Sequence, residues 1–289
     1  MSRFTNARNA YHAALKSSKV YALIDGEDGI AASNADKDNK ASVAIAAHLA
    51  DALGVTTVLK KRLAAQTVGA RFEDHTTEFL RKTFLHLKGL RPGQWDIDRV
   101  SPRGGLNIAS YDQYSHLQDV NDAAEDNPSL RVLLGEDYII ASDVVIARRP
   151  ETDEKINAEE DLIDASVAAR TAMRSVNTDK PSLHACVSCK WTMRSDRAQN
   201  SRYEALRLIR SRKGRVPHLA VVTAEPLPSR LASIALGTGD IDCVYHIALP
   251  ELINAVESLG QSEAASLLSL MVEGRRLKDI ADLPLDLAI

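Results

Sequence analysis

Aromatic side chains are scarce in this chain. Four Phe, seven Tyr and two Trp make up 4% of 289 residues, so any core is mostly aliphatic. Cysteine is scarcer still. Three residues exclude a disulfide framework, and an odd count suits a reducing compartment. Cys186-Val187-Ser188-Cys189 has no second pair to complete a zinc site. On a strand its two thiols would point to opposite faces, as packed side chains do. No apolar run reaches the ~18 residues of a membrane span, and Met1 to Thr5 lacks the apolar core of a signal peptide. The expectation is a cytoplasmic protein without a membrane partner. Repeats and low-complexity segments are missing as well. Neither sign of charge dominates: 36 Lys and Arg face 39 Asp and Glu, for a net charge of -3. That balance argues against nucleic acid only if the charge is evenly spread.

It is not evenly spread. Nine Lys and Arg lie between Lys190 and Arg215, against the two acids Asp196 and Glu204, so this segment carries +7. A basic stripe on a slightly acidic body suits selective phosphate binding. With 45% hydrophobic and 26% charged residues, the chain is long enough to bury a large core.

Apolar spacing predicts helices from about Thr5 to Lys16, Ser42 to Leu53 and Phe72 to Leu87, with a short strand at Trp95 to Val100. Asp25 to Gly29 reads as a turn or loop, and the polar stretch Ser33 to Lys40 continues it. The β-branched run Tyr138 to Ala147 predicts a buried strand or a strand pair. Leu183 to Trp191 and His218 to Thr223 predict strands on either side of a basic helix, Asp196 to Arg212. In that helix Ala205, Leu206 and Ile209 would face inward, and Gly214 would cap its end. Strand, helix and strand in about forty residues make a βαβ unit with a parallel pair and right-handed crossover. Cys243 to Ile247 adds a strand and Ala265 to Val272 a helix. The fold class is α/β, with helices on both faces of a sheet. The acidic loop from Arg149 to Asp164 does not read as a linker. The expectation is one domain over 1–289, with a helical part (about 1–95) packed on an α/β core (about 96–289).

The chemistry sits around the basic segment. Hydrolysing a phosphodiester takes an activated water, charge neutralisation at phosphorus and help for the leaving oxygen. Carboxylate-held Mg²⁺ supplies all three. The usual layout has one Asp at a strand end, then an acid and a Lys two residues apart on the next strand, sharing a face. Asp143 fits the first position and Lys190 the last. The middle position holds Ser188, which brings no negative charge. Glu204 lies on the following helix and can reach the vacated place from the side. Glu73 is a further acid, on an N-terminal helix. Taken singly, these residues have ordinary explanations as a strand Asp, a snorkelling Lys, a solvated basic helix and a surface acid. Their joint occurrence in one βαβ unit is what points to a nuclease.

These residues come with longer stretches: Ser33-Asn34-Ala35-Asp36, Arg91-Pro92-Gly93, Tyr114-Ser115-His116-Leu117, Ser188 to Asn200, Val222-Thr223-Ala224-Glu225-Pro226, Ser233 to Gly239, and Leu277-Lys278-Asp279-Ile280 with Leu283 to Leu287. In them the chain resembles Type II restriction endonucleases of the group that cuts around a CCGG core, in particular the NgoM-type enzymes that cut GCCGGC as G/CCGGC. The likeness runs nearly end to end. It implies a restriction-endonuclease-like PD-(D/E)xK core, a mixed central sheet flanked by helices. It also implies a homotetramer working as a dimer of dimers, double-stranded DNA as substrate, about two Mg²⁺ per active site, and a cognate DNA methyltransferase in the same cell. Carried over residue by residue, it makes Asp143 and Glu204 metal ligands, with the backbone carbonyl of Cys189. Lys190 would polarise the attacking water. Ser188 would stand where other nucleases have an acid, and Glu73 would be a supporting acid. Arg194, Asp196 and Arg197 would read CCGG. Arginine forks fit guanine O6 and N7, and a carboxylate accepts from cytosine N4. Asp36 and Arg230 would read the outer G·C pair, and Gln66 would make a further groove contact. The loop Lys37-Asp38-Asn39 departs from the pattern, with one extra residue and Asp38 in place of a serine. It leaves the outer base pair open. Two rival functions remain: a DNA-binding protein that does not cut, and a structure-specific nuclease such as a junction resolvase.

Overall fold

The run ending in Lys190 forms the longest strand among the described residues, Ser182–Lys190, and seven of its nine residues are buried, on both faces. Such a strand belongs at the centre of a sheet covered on both sides. The structure is a computed structural model and describes residues 1–27, 29–100, 106–125, 127, 129, 132, 139–140, 143–237 and 239–289.

In chain order, α1 (Arg3–Ser17) leads into a hairpin of β1 (Leu23–Gly26) and β2 (Gly29–Ala32). Then come α2 (Lys40–Ala52), β3 (Val58–Leu59), α3 (Ala65–Thr83), β4 (Trp95–Arg99), β5 (Leu106–Asn107) and α4 (His116–Glu125). Next are β6 (Ile139–Ile140), β7 (Val144–Arg148), α5 (Asp153–Ile156), β8 (Ser182–Lys190), α6 (Ser195–Ser211) and β9 (His218–Thr223). The chain closes with α7 (Pro228–Ala235), β10 (Cys243–His246), α8 (Leu249–Ser258), α9 (Ser262–Glu273), β11 (Leu277–Asp279) and α10 (Leu283–Asp286).

Six strands form the main sheet in the order β11-β10-β9-β8-β7-β4. The β8/β9, β9/β10 and β10/β11 pairs are parallel, whereas β7/β8 and β4/β7 are antiparallel. The sheet is therefore mixed, and β8-α6-β9 is the expected βαβ unit. One face of β8 carries Cys189 and Trp191 against α1 and α3. There Trp191 meets Phe72 edge-on with ring centroids 5.2 Å apart. The other face carries Ser188, which meets Ser201 of α6 at 3.2 Å. The three cysteines are buried and none forms a disulfide. Among the described residues no helix is long and apolar enough to cross a membrane.

Several details differ from the sequence reading. The supposed loop after Asp25 begins inside a three-stranded sheet, β2-β1-β3, whose hairpin turns at Gly29 with φ +102°. The Tyr138–Ala147 run holds two strands, but β6 pairs with β5 and only β7 joins the main sheet. Tyr138, Ala141 and Ser142 lie outside the described residues. Helix α3 starts seven residues earlier than Phe72, because its first turns line a cavity and so lack an apolar stripe. In α6 the buried stripe is Ala198, Ser201, Ala205 and Leu208, one position off the expected face, which leaves Leu206 and Ile209 half-buried at its border. The helix ends at Ser211, with extended Arg212 as its cap residue. Gly214, at φ +94°, lies beyond that cap and turns the chain toward β9.

Phe72 is fully buried and clamps α3 to the end of β8 through Trp191. Phe72→Ala should lower unfolding free energy by about 3–5 kcal/mol, read as a shift in urea midpoint at unchanged slope.

Candidate active site

The antiparallel register of β7 and β8, with Val144 opposite Val187, brings Asp143 to the C-terminal end of β8. Its own carbonyl accepts the Val100 N–H at 3.0 Å, which ties it to the end of β4. Its side-chain Oδ2 accepts the Cys189 N–H at 2.6 Å and the Lys190 Nζ at 2.8 Å, with Ser188 Oγ at 3.5 Å. Both partners of the ion pair are largely buried, at 18% and 16% side-chain exposure. Burial alone would lower the Lys190 pKa, but the charge and hydrogen bond of Asp143, helped by Glu204, hold it above its ordinary value. Lys190 is thus a fixed cation at neutral pH, able to donate but not to take a proton.

Glu204 approaches from α6. Ser201, three residues earlier on the same helix face, anchors that helix on Ser188. No described residue donates a hydrogen bond to the Glu204 carboxylate. Burial pushes its pKa up to about 7, Lys190 partly offsets this, and Asp143 adds to it. Glu73 enters from α3 on the opposite side of the sheet. Its pKa is raised by burial, with Arg99 opposing through a 2.8 Å bond and Asp143 reinforcing. The charge of Asp143 therefore raises the proton affinity of Glu204 and Glu73, carried on two other elements, around one lysine.

A cleft of about 480 Å³ opens between α3 and α6. Glu73, Cys189, Lys190, Arg194, Arg197 and Glu204 line it. The Cys189 thiol is buried and burial raises its pKa far out of the reactive range, so its side chain is not the chemically useful part. Arg194 is exposed at the N-cap position of α6, and Arg197 bonds back to the Thr192 carbonyl and hydroxyl, each at 3.1 Å. Asp196 lies in the first turn of α6, but its side chain is outside the described set. Asp36 is paired with Arg230, and that pairing lowers its pKa, as does the nearby charge of Arg194. Asp38 is exposed and donates its N–H to Asp36 Oδ1 at 3.3 Å. Asn39, at the end of that loop, caps α2 by accepting the Ser42 N–H at 3.0 Å. Gln66 is exposed on the first turn of α3, beside cavity-lining Ala65.

Sequence reasoning missed Arg99, which pairs with Glu73, and Ser201, which seats α6 on Ser188. Neither belongs to a recognisable pattern. It also left the buried Glu225 without a role, although the Val222 to Pro226 stretch drew notice.

Among the described residues no group of three His, Cys, Asp or Glu side chains is arranged to hold a metal ion. One oxygen of Asp143, Oδ2, is instead engaged by Lys190 and the Cys189 N–H. The donor chemistry nevertheless fits a hard divalent cation. It consists of carboxylate oxygens whose mutual repulsion such a charge would relieve, one carboxylate having no hydrogen-bond donor among the described residues.

Because the folded pKa of Glu204 is about 7 and the unfolded one near 4.5, its carboxyl costs no stability below pH 4.5. The loss grows as pH rises and is complete above 7, since the unfolded state sheds its proton first. Without divalent metal, Glu204→Gln should therefore be more stable than the unaltered protein at pH 8. The gain should be on the order of 1–3 kcal/mol after allowing for partial solvation. It should shrink toward zero at pH 4.5, as measured by urea unfolding at both pH values.

Residues 11–289 match the family model described as NgoMIV restriction enzyme. The chain is also similar to the Type II restriction enzyme NgoMIV of Neisseria gonorrhoeae, 49% identical over 286 residues that cover 99% of each chain. A sheet end gathers Asp143, Lys190, Glu204 and Glu73 beside Arg194 and Arg197, and by these similarities the chain belongs to the NgoMIV restriction enzyme family, as a Type II restriction endonuclease.

Proposed function

We propose that this enzyme hydrolyses double-stranded DNA at GCCGGC, cutting before the first C and leaving 5′-phosphate and 3′-hydroxyl ends with Mg²⁺ as cofactor. The observation that carries the reading is the convergence of Asp143, Lys190 and Glu204 from three separate elements, with Lys190 and Glu204 lining the cleft that Arg194 and Arg197 also line. Asp143, Glu204 and the Cys189 carbonyl would hold the metal, with two ions per site. Bound there, Mg²⁺ would neutralise charge at the scissile phosphate and make a water more acidic.

The protein's own groups divide the remaining work. Lys190, held protonated, donates a hydrogen bond that orients the attacking water in line with the phosphorus. Ser188 takes the place of an acid and braces Asp143 and Ser201 instead. Glu73, bridged to Arg99, supports the acidic cluster from α3. Arg194, Asp196 and Arg197 read the CCGG core from the N-terminal turn of α6, where loop and helix meet beside the scissile position. The Asp36–Arg230 pair, with Asp38 and Gln66 nearby, reads the outer base pair. A palindromic site calls for two-fold symmetry, so the working unit is at least a dimer and, by similarity, a dimer of dimers. The chain acts as one endonuclease domain with a PD-(D/E)xK-type core. Its place is the cytoplasm, beside a methyltransferase that protects the same site.

Incubation with plasmid and Mg²⁺ should give discrete fragments whose sequenced ends read G/CCGGC, and EDTA should prevent cutting. Random ends or dependence on branched DNA would reject the assignment. Asp143→Ala and Lys190→Ala should abolish cleavage while retaining site-specific binding in a gel-shift assay; cleavage by Asp143→Ala protein would exclude the assigned centre. Arg194→Ala or Arg197→Ala should cost roughly 1–3 kcal/mol of base discrimination per lost bidentate contact, read from competition between duplexes.

A further inference from the structure

We infer that Glu225 is a positioning residue for sequence recognition: one buried carboxylate that ties the segment reading the inner bases to the segment reading the outer pair. The inference rests on the reading above, in which Arg194 and Arg197 serve the inner bases and Asp36 with Arg230 the outer pair.

Glu225 has no exposed surface. It lies in the turn that follows β9, and β9 ends with Thr223 directly beside Lys190 in the parallel register. Its Oε2 accepts the Met193 N–H at 2.7 Å, immediately before Arg194. Its Oε1 accepts the Leu227 N–H at 3.1 Å, at the N-cap of α7, the helix that carries Arg230. The Arg230 Nη1 lies 3.9 Å from Oε2, while Arg230 Nη2 holds Asp36.

The neighbouring residue makes the same link through the backbone. The Ala224 N–H donates to the Trp191 carbonyl at 3.2 Å, and the Ala224 carbonyl accepts from buried Asn34 Nδ2 at 2.9 Å. Asn34 begins the loop that presents Asp36. The turn thus grips the 191–194 segment on one side and the 34–36 loop and α7 on the other.

A carboxylate is a costly choice for a dry turn, since an ionised group without full pairing loses several kcal/mol of hydration. Burial pushes this one up to about 7. A turn that only had to cap the start of a helix would be served by Ser or Asn. What a Glu adds is two acceptor atoms on a side chain long enough to reach two separate backbone N–H groups at once. Amide substitution keeps the shape but turns an NH₂ toward one of those donors. One of the two ties must then loosen, and the recognition groups on both sides lose their common reference.

The test compares metal-free binding of the unaltered enzyme and Glu225→Gln to three duplexes. One carries GCCGGC, one has its outer pair exchanged (CCCGGG) and one has an inner pair exchanged (GGCGCC). Both discrimination ratios should fall about tenfold or more in Glu225→Gln, with its thermal unfolding temperature close to that of the unaltered enzyme. Glu225→Asp, too short to span both N–H groups, should show the same double loss, and it serves if the amide variant does not fold. Loss of the outer ratio alone would reduce Glu225 to a cap on α7 and overturn the proposal; so would two unchanged ratios. An unaltered enzyme that shows no preference for GCCGGC would instead remove the recognition reading on which the proposal stands.

Discussion

The pairing of β7 with β8 decides where the proposed chemistry can occur. It sets Asp143 against the last three residues of β8, so that one carboxylate oxygen meets the Cys189 N–H and the Lys190 ammonium together. A slip of one residue would turn Lys190 and Ser188 to the opposite face and leave Asp143 facing apolar side chains. Everything nearby depends on that register. Ser188 can face Ser201 only in this alignment, and α6 brings Glu204 to the cleft only when seated there.

The cluster is arranged for electrostatic tension. Glu204 and Glu73 are both held above the ordinary carboxylate range by burial and by the charge of Asp143. Lys190 relieves part of this and Arg99 another part. A divalent cation would relieve more, and its affinity would come from the repulsion that folding has already imposed. Binding and stability are thus coupled through Glu204 and Glu73.

The groups proposed for recognition are mounted on the neighbouring strand end. The turn after β9 ties the segment before α6 to the loop around Asp36, so the groups proposed to face bases share a rigid mount with Lys190. Such a mount favours precision over reach. The basic segment that drew attention in the sequence serves this only in part. Its N-terminal arginines line the cleft, whereas Arg210, Arg212, Lys213 and Arg215 lie toward or beyond the far end of a 17-residue helix.

The long elements were legible in the sequence because their periodicity is strong: α1, α2, β8, α6, β9 and β10 fall where apolar spacing placed them, as does the parallel β8-α6-β9 crossover. The candidate residues Asp143, Lys190 and Glu204 were legible by residue type, and the family by its motifs. The small β2-β1-β3 sheet, β11 and the short helices α7 and α8 were not. Two to ten residues, partly exposed, carry too little pattern to separate strand or helix from loop. Nor could spacing reveal Arg99 beside Glu73, the pairing of Ser188 with Ser201, or Glu225 under Met193, since each joins residues that chain order keeps 13 to 32 positions apart. Sequence alone settles which residue types are available and which local periods they obey. Only tertiary packing decides which of them meet, because burial and charge act through space and not along the chain.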